Sequence, residues 1–477
     1  MSNVIQRPRI FRVILGLAIV LSGCSKQAGS NAVPLVSPMA ASIHFQYAVY
    51  MLPVHAKDPL TALRNVLAGR YANLTLVSEL PKELRGMLVS ARVEKKLQRE
   101  YAPPDERSLK YSGHGLSDAQ VEQLQRSQEA FILDFGHPKE NVWSALHTAD
   151  LLVEDIARES GGLVWDQETR EIFSPDAWHK RRLQDWPDGV PDISTQTTVH
   201  VYENGEFARA ITLGMAKAGL PDVIVEELPW SSGNQVVNLI NLFSQAMVEG
   251  AVAKNVARFK LDLRAIQNAR SRDRQLKSLE ADSSGVACLT LKQGTWEDGD
   301  PKNQLIQLAF DRYKGNDVHA KQEAAISLLF GAKDVVGQVE HTDELLEVSR
   351  TARSNLPELH KDFDAGLQAG EYIDVKAPFK TPRGNEWMWV EIGSWKGQTI
   401  RGVLRNDPVE VQSLHAGQIV EVREEDVFDY IRHFPDGRTE GNTTGEVIKK
   451  QEQEGEAGAV PFPIRGRKAA KLPDCTD

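Results

Sequence analysis

The residues able to do acid–base or metal chemistry are plentiful in this chain but dispersed. Its twelve histidines stand singly. His114, in Ser-Gly-His-Gly, and His137, in Phe-Gly-His-Pro, fall in glycine-containing loops, where functional side chains concentrate, so they are the first candidates for proton transfer. The plain alternative for both is a surface histidine. Glu154-Asp155 and Glu424-Glu425-Asp426 offer carboxylates. A glycosidase, however, needs two acids at a set distance in space, which adjacency along the chain does not supply, and solvated turns account for these runs. His341, Asp343 and Glu344 are of metal-ligating type, but acids at a helix start usually serve the first turn. No metal site and no cofactor is expected, because the chain has no G-x-S-x-G, S-x-x-K, H-E-x-x-H or glycine-rich phosphate loop.

A different chemistry is written in Glu386–Gly397, EWMWVEIGSWKG. Alternation at period two puts Met388, Val390 and Ile392 on one face of a strand and Trp387, Trp389 and Glu391 on the other. Pairing with QTIRGVLRNDP places Ile400, Gly402 and Leu404 on the first face, which reads as core. Arg401, Val403 and Arg405 then join the tryptophans. Trp387, Trp389, Glu391, Arg401 and Arg405 form a candidate binding surface in which guanidinium groups stack on indoles and Glu391 pairs with an arginine. The plainer possibility is that this face is covered, by the helix near 356–367 or by the first domain, as a second core.

The N-terminus carries the other chemical signal. In MSNVIQRPRIFRVILGLAIVLSGCSK, Arg7, Arg9 and Arg12 precede an apolar run from Val13 to Leu21, with no acid among them. That run is about half of the roughly 20 residues a membrane-spanning helix needs, so residues 1–23 are expected to be a cleaved signal peptide. Leu21-Ser22-Gly23-Cys24 resembles the bacterial lipobox. The resemblance implies that the Cys24 thiol receives a diacylglyceryl group, that cleavage falls before it, and that the new amino group is acylated. Two or three acyl chains anchor durably where one does so only marginally. Ser25 in place of Asp favours the outer membrane if the cell is Gram-negative, with the protein facing the periplasm.

Composition fits an anchored, water-soluble body. Of 477 residues, 41% are hydrophobic and 26% charged, in the range of ordinary globular domains. Losing three arginines with the signal takes the formal charge from -10 to -13, which argues against nucleic acid as a partner. The expected partners are the membrane, through the lipid, and an envelope protein or peptide. With Cys24 lipidated, Cys288 and Cys475 could form one disulfide in an oxidising compartment.

The elements that must position these residues are mixed. Residues 24–42 read as a flexible tether, with a reach of roughly 20 to 25 Å. Residues 43–250 read as an α+β domain. Its expected elements are strands in IHFQYAVYML, MLVSARVEKK and AFILDFG, helices in PLTALRNVLAG, PKENVWSALHTADLLVEDIARESGG and NQVVNLINLFSQAMVEG, and a hairpin turning at Asn204-Gly205. Irregular alternation with hairpins argues for α+β rather than a doubly wound sheet. Residues 251–369 read as a mainly helical connector: one helix over 251–283 with a basic outer face, then two more in PKNQLIQLAFDRYKG and NDVHAKQEAAISLLFGA. Residues 370–436 read as a small β-rich module and 437–477 as a disordered tail.

Within the β-rich module, Phe379, Glu386, Met388-Trp389-Val390-Glu391, Gly402, Leu404, Asn406-Asp407-Pro408, Gly417, Val420-Glu421-Val422 and Asp429-Tyr430 resemble the domain of unknown function 2314, the YegJ-like family, over about residues 370–433. The resemblance implies a fold and no reaction. The sequence thus points to a binding or scaffolding role at a membrane surface. Its rivals are an envelope hydrolase with its site between the two regions and an immunity-like inhibitor of a basic toxin.

Overall fold

The computed structural model describes residues 40–53, 59–97, 100–251, 256–280, 282–331, 343–381, 384–447 and 472–475. The expected signal peptide, nearly all of the tether, and His341 lie outside the described residues. The fold is α+β, as the alternation predicts.

The first sheet holds β1 (Ser42–Tyr50), β2 (Leu74–Val77), β3 (Met87–Glu94), β4 (Gly113–His114), β5 (Ala130–Pro138), β6 (Leu163–Asp166) and β7 (Glu171–Phe173), in the order β2-β3-β5-β1-β6-β7-β4. Central β1 is antiparallel to β5 along its whole length and to β6. Both of its faces are covered. Ile43, Phe45, Tyr47 and Val49 enter the main core beside α1 (Pro59–Gly69) and α4 (Val142–Ser160). Ala48 and Tyr50 pack with Leu109 of α2 (Glu106–Ser112) and Leu124 of α3 (Asp118–Gln125). In α4 the expected stripe Val142, Leu146, Ala149, Val153 and Ile156 is buried, and Gly161, at φ 70°, ends the helix by donating its N–H to Ala157. A short helix, α5 (Pro175–Trp178), follows β7.

The second sheet holds β8 (Thr198–Asn204), β9 (Phe207–Leu213), β10 (Asp222–Leu228), β11 (Phe259–Asp262), β12 (Val286–Gln293) and β13 (Leu305–Ala309), in the order β11-β12-β13-β10-β9-β8. Helices α6 (Gly233–Val248), α7 (Ala269–Leu276) and α8 (Val318–Phe330) accompany it. Val236, Ile240 and Phe243 of α6 share one continuous core with Val153 of α4 and Leu329 of α8.

That shared core corrects the expected boundary at 250: the body runs on to about residue 331. The helix expected over 251–283 is instead β11, a 3₁₀ turn and the short α7. Phe259, Leu261 and Leu263 alternate with exposed Lys260, and partnership with β12 makes period two prevail over the helical reading of the same segment. Likewise Leu305–Ala309 is a strand held between β10 and β12, where burial of both faces produces the unbroken apolar run that resembles a helix stripe. The hairpin turn is also displaced by one residue. Asn204 pairs with Phe207, so the loop is Gly205-Glu206, with Gly205 supplying the positive φ of 71°.

The third sheet is antiparallel throughout: β14 (Tyr372–Thr381), β15 (Gly384–Lys396), β16 (Thr399–Leu404), β17 (Ile419–Arg423), β18 (Asp429–His433) and β19 (Thr439–Gly441), in the order β17-β16-β15-β14-β18-β19. Its core face is Met388, Val390, Ile392, Ile400 and Leu404, covered by Ala352 of α9 (Asp343–Ser354) and by Leu356 and Leu359 of α10 (Leu356–Ala365). These helices therefore belong to the module and not to a connector. A bulge at Gly393 shifts the register after Ile392 and turns Trp395 inward opposite Ile400. The expected disordered tail is corrected where it is described, since β19 extends the sheet and Cys475 is tied to the body, while residues 448–471 lie outside the described residues.

Candidate functional site

The densest polar chemistry lies inside the first sheet. Asp166 and Glu171 stand directly opposite each other on the β6–β7 hairpin. Like charges so placed repel, so a buried cation between them is required. Arg182 supplies it: its Nη2 donates to Asp166 Oδ2 at 2.8 Å and to Glu171 Oε2 at 3.2 Å, with the guanidinium over the rings of Phe173 and Trp178. Lys217 Nζ donates to Asp166 at 2.6 Å, and His114 Nε2 lies 2.9 Å from Glu171 Oε1. Two basic side chains thus face two acids. Asp150 is left over. Burial pushes its carboxyl up to about 7, Tyr47 Oη donates to Oδ1 at 2.8 Å, and Oδ2 has no partner. Glu168 is pushed the same way by burial, to about 7. Of this group the sequence singles out His114 alone. The missed signal is an acid at each paired position of an otherwise apolar hairpin.

Arg182 reaches the pair from an uncommon turn. Gln184 N–H donates to His179 O, five residues back, at 2.8 Å, so His179–Leu183 (HKRRL) is a π-helical turn continuing α5. Widening of this kind re-aims side chains and recurs at functional sites.

The second face of β15 is divided between uses. Glu391, 3% exposed, accepts from the N–H groups of Trp230, at 2.7 Å, and Ser231, and from Ser231 Oγ. Those amides open the 3₁₀ turn that leads into α6, so a carboxylate from the module serves as the cap of a helix in the body. Arg401 bonds Glu206 at the β8–β9 turn, and Gly393 lies against Phe207. Arg405 faces Asp374 at 3.5 Å, with Glu391 nearby. The expected stacking of arginine on indole is not what forms. Trp389 instead lies under Lys376, its cross-strand partner, 5.6 Å from the ring, and Trp387 packs on Phe428 at 4.5 Å. Both tryptophans are half-buried.

Between body and module lies a crevice of about 230 Å³ lined by Ser232, His319, Gln322, Glu323, Arg405 and Gly417. His319 is 4% exposed, neither ring nitrogen has a hydrogen-bond partner, and burial pushes it down to about 4, so it is neutral.

This arrangement, helices over one face of an antiparallel sheet and a carboxylate on the other, accounts for the motif residues noted above. Residues 349–457 match the family described as "Uncharacterized protein conserved in bacteria (DUF2314)". No curated protein and no solved structure matches the chain. The match begins inside α9, in agreement with the packing of Ala352, Leu356 and Leu359 into the DUF2314 core. Other DUF2314 motif residues have local duties. Glu386 accepts from the N–H groups of Val409, Glu410 and Val411, Asp407 from that of Ala416, and Asp429 from Thr444.

His137 is 1% exposed, with Nδ1 donating to Pro138 O at 3.0 Å and Nε2 unpartnered, so it is a core residue. Glu154 binds Arg158 and His179, and Asp155 takes Tyr71 Oη at 2.6 Å. Glu424 accepts from Trp395 Nε1 at 3.0 Å. The basic face expected over 251–283 is largely paired: Arg270 with Asp185, Arg274 with Asp192, and Arg264 with Ser284 O. Cys288 and Cys475 are joined by a disulfide that fastens the chain end to β12 of the body. Among the described residues no helix is long and apolar enough to cross a membrane, and no group of three or more His, Cys, Asp or Glu is placed to hold a metal ion.

Proposed function

We propose that this chain is a lipoprotein of the bacterial cell envelope, held to a membrane by acyl groups on Cys24, that acts as a binding or scaffolding protein for an envelope protein or peptide. The observation that carries the anchor is the order of residues 7–24: three arginines, an apolar run too short to span, then Leu-Ser-Gly-Cys. The Cys288–Cys475 bond supports the same location, because such bonds persist in oxidising compartments.

What supports binding is how the DUF2314 sheet is held. Glu391 and Arg401 fix it to the body, leaving Trp389 half-exposed beside Lys376 as a rigid aromatic contact near the junction. The test uses native and Cys24→Ala protein fractionated from the producing cell, followed by cross-linking capture with the Trp389→Ala variant. Native protein is expected to leave the membrane only with detergent, Cys24→Ala protein to lose that attachment, and Trp389→Ala protein to lose partner yield. A detergent-independent soluble pool of native protein would contradict the anchor. Unchanged partners at unchanged yield would contradict the contact.

A further inference from the structure

We propose that the crevice formed by Arg181, Arg182 and Arg270 at the π-helical turn is a binding site for a small oxyanion, a phosphoryl or carboxylate group. Three arginines line it together with Asp185, Trp186, Pro191 and Thr195, in a space of about 210 Å³ that includes its open mouth. Its enclosed part, about 10 Å³, admits little more than one water-sized group, so an oxyanion enters at the open mouth as the exposed Arg270–Asp185 pair gives way.

Charge accounting singles out Arg181. Arg182 is matched internally by Asp166 and Glu171, and Arg270 is matched by Asp185, which also lines the crevice. That second pair is exposed on both sides, 52% and 44%, so it is weak and can open toward an incoming anion. Arg181 has no carboxylate within ion-pair distance among the described residues. Its one hydrogen bond is long, from Nη2 to Thr197 O at 3.4 Å. Its Nε is sealed from solvent without an acceptor, and so is the Nε of Arg182, a residue 2% exposed. Buried donors left unmade are costly, and a guanidinium fork is the natural partner of a carboxylate or phosphate. Burial and then the neighbouring Arg182 pull Arg181 below its ordinary value against the opposing pull of Glu171 and Asp192, a penalty that an anion at this position would relieve.

Trp186 adds a rigid wall. Its ring is stacked on His147, with centroids 4.5 Å apart and planes 13° from parallel, so the indole is held in place without a ligand. The π turn is what makes the constellation possible, since it sends Arg182 inward to the acids while Arg181, the preceding residue, lines the mouth.

This inference supplies the binding reading with a ligand class and does not depend on the lipid anchor. Cys24→Ala protein should bind the oxyanion as native protein does. The test is calorimetric titration of the full-length, detergent-purified protein with inorganic phosphate and, separately, with acetate, at low ionic strength. A single saturable site is expected for at least one of them, and the tighter one assigns the group as phosphoryl or carboxyl. Arg181→Gln should weaken that site about tenfold or more, while Lys396→Gln, on the remote β15–β16 turn, should leave it unchanged. Should Arg181→Gln fail to fold by thermal melting, Arg270→Gln, at an exposed position, reads the same site and should also weaken it. No saturable site for either anion, binding indifferent to both arginine substitutions, or equal weakening by Lys396→Gln would overturn the proposal.

Discussion

Asp150 is the residue at which the buried charge of the body fails to balance. Arg182 and Lys217 neutralise Asp166 and Glu171, and a further carboxylate can remain in the same low-dielectric space only by keeping its proton. Its folded value of about 7 stands above the ordinary 3.8, so the folded state binds a proton that the unfolded state has released. The stabilisation is complete below about pH 4 and is lost as pH rises through 7, on the order of 3 kcal/mol over that interval. Asp150→Asn, which keeps an acceptor for Tyr47 and carries no charge, should flatten this decline in a pH series of thermal melts. An unchanged slope would place the proton elsewhere. The sequence gives few signs of this arrangement: Asp150, Asp166 and Lys217 are ordinary polar residues until two sheets close over them. His114 stands out by its glycine neighbours, and its ring turns to Glu171 as part of the buried polar cluster.

At the scale of elements, local pattern succeeds where one period dominates and fails where partners decide. The long helix α4 and the alternation of β15 were legible because each presents one face to its core, and β1 because its apolar residues keep period two although both of its faces are covered. Segments 259–262 and 305–309 were not, since each becomes a strand only when β12 claims it. The Trp-bearing face shows the same limit. Alternation correctly separates it from the core face, but Glu391 finds its partners, the amides of Trp230 and Ser231, some 160 residues away. Those contacts make Glu391 the cap that couples module to body. Glu391→Ala leaves buried amides unpaired, at a cost of about 1–3 kcal/mol. Hydrogen exchange should then rise at residues 230–236 and along β15 while β1 and β5 stay protected. Equal protection of the junction in variant and native protein would show that apolar packing alone holds the two parts together.

At the scale of the molecule, the first two sheets share one main core, α2 and α3 cover a second on the first sheet, the module has its own, and the chain end returns to the body. The Cys288–Cys475 bond spans 187 residues, including the whole DUF2314 match, so the module is fastened to the body at both its sequence ends. Closing so long a loop stabilises by about 4–5 kcal/mol when the unfolded chain is constrained accordingly. Cys475→Ser should lower the melting temperature and free the 472–475 segment to protease, whereas peptide mapping of native protein without reductant should recover the two cysteines joined. Recovery of both as free thiols would contradict the linkage. Cysteine count made this pairing possible to foresee, but the shared core of α4 and α6, which moves the body's boundary from 250 to about 331, could not be seen before the sheets were assembled.

The proposed anchor at Cys24 is read most directly at the mature N-terminus. Mass analysis of the N-terminal peptide from membrane-extracted protein should find a chain beginning at Cys24, with diacylglyceryl on its sulfur and an acyl group on its amine. A peptide that begins elsewhere, or an unmodified Cys24, would contradict it.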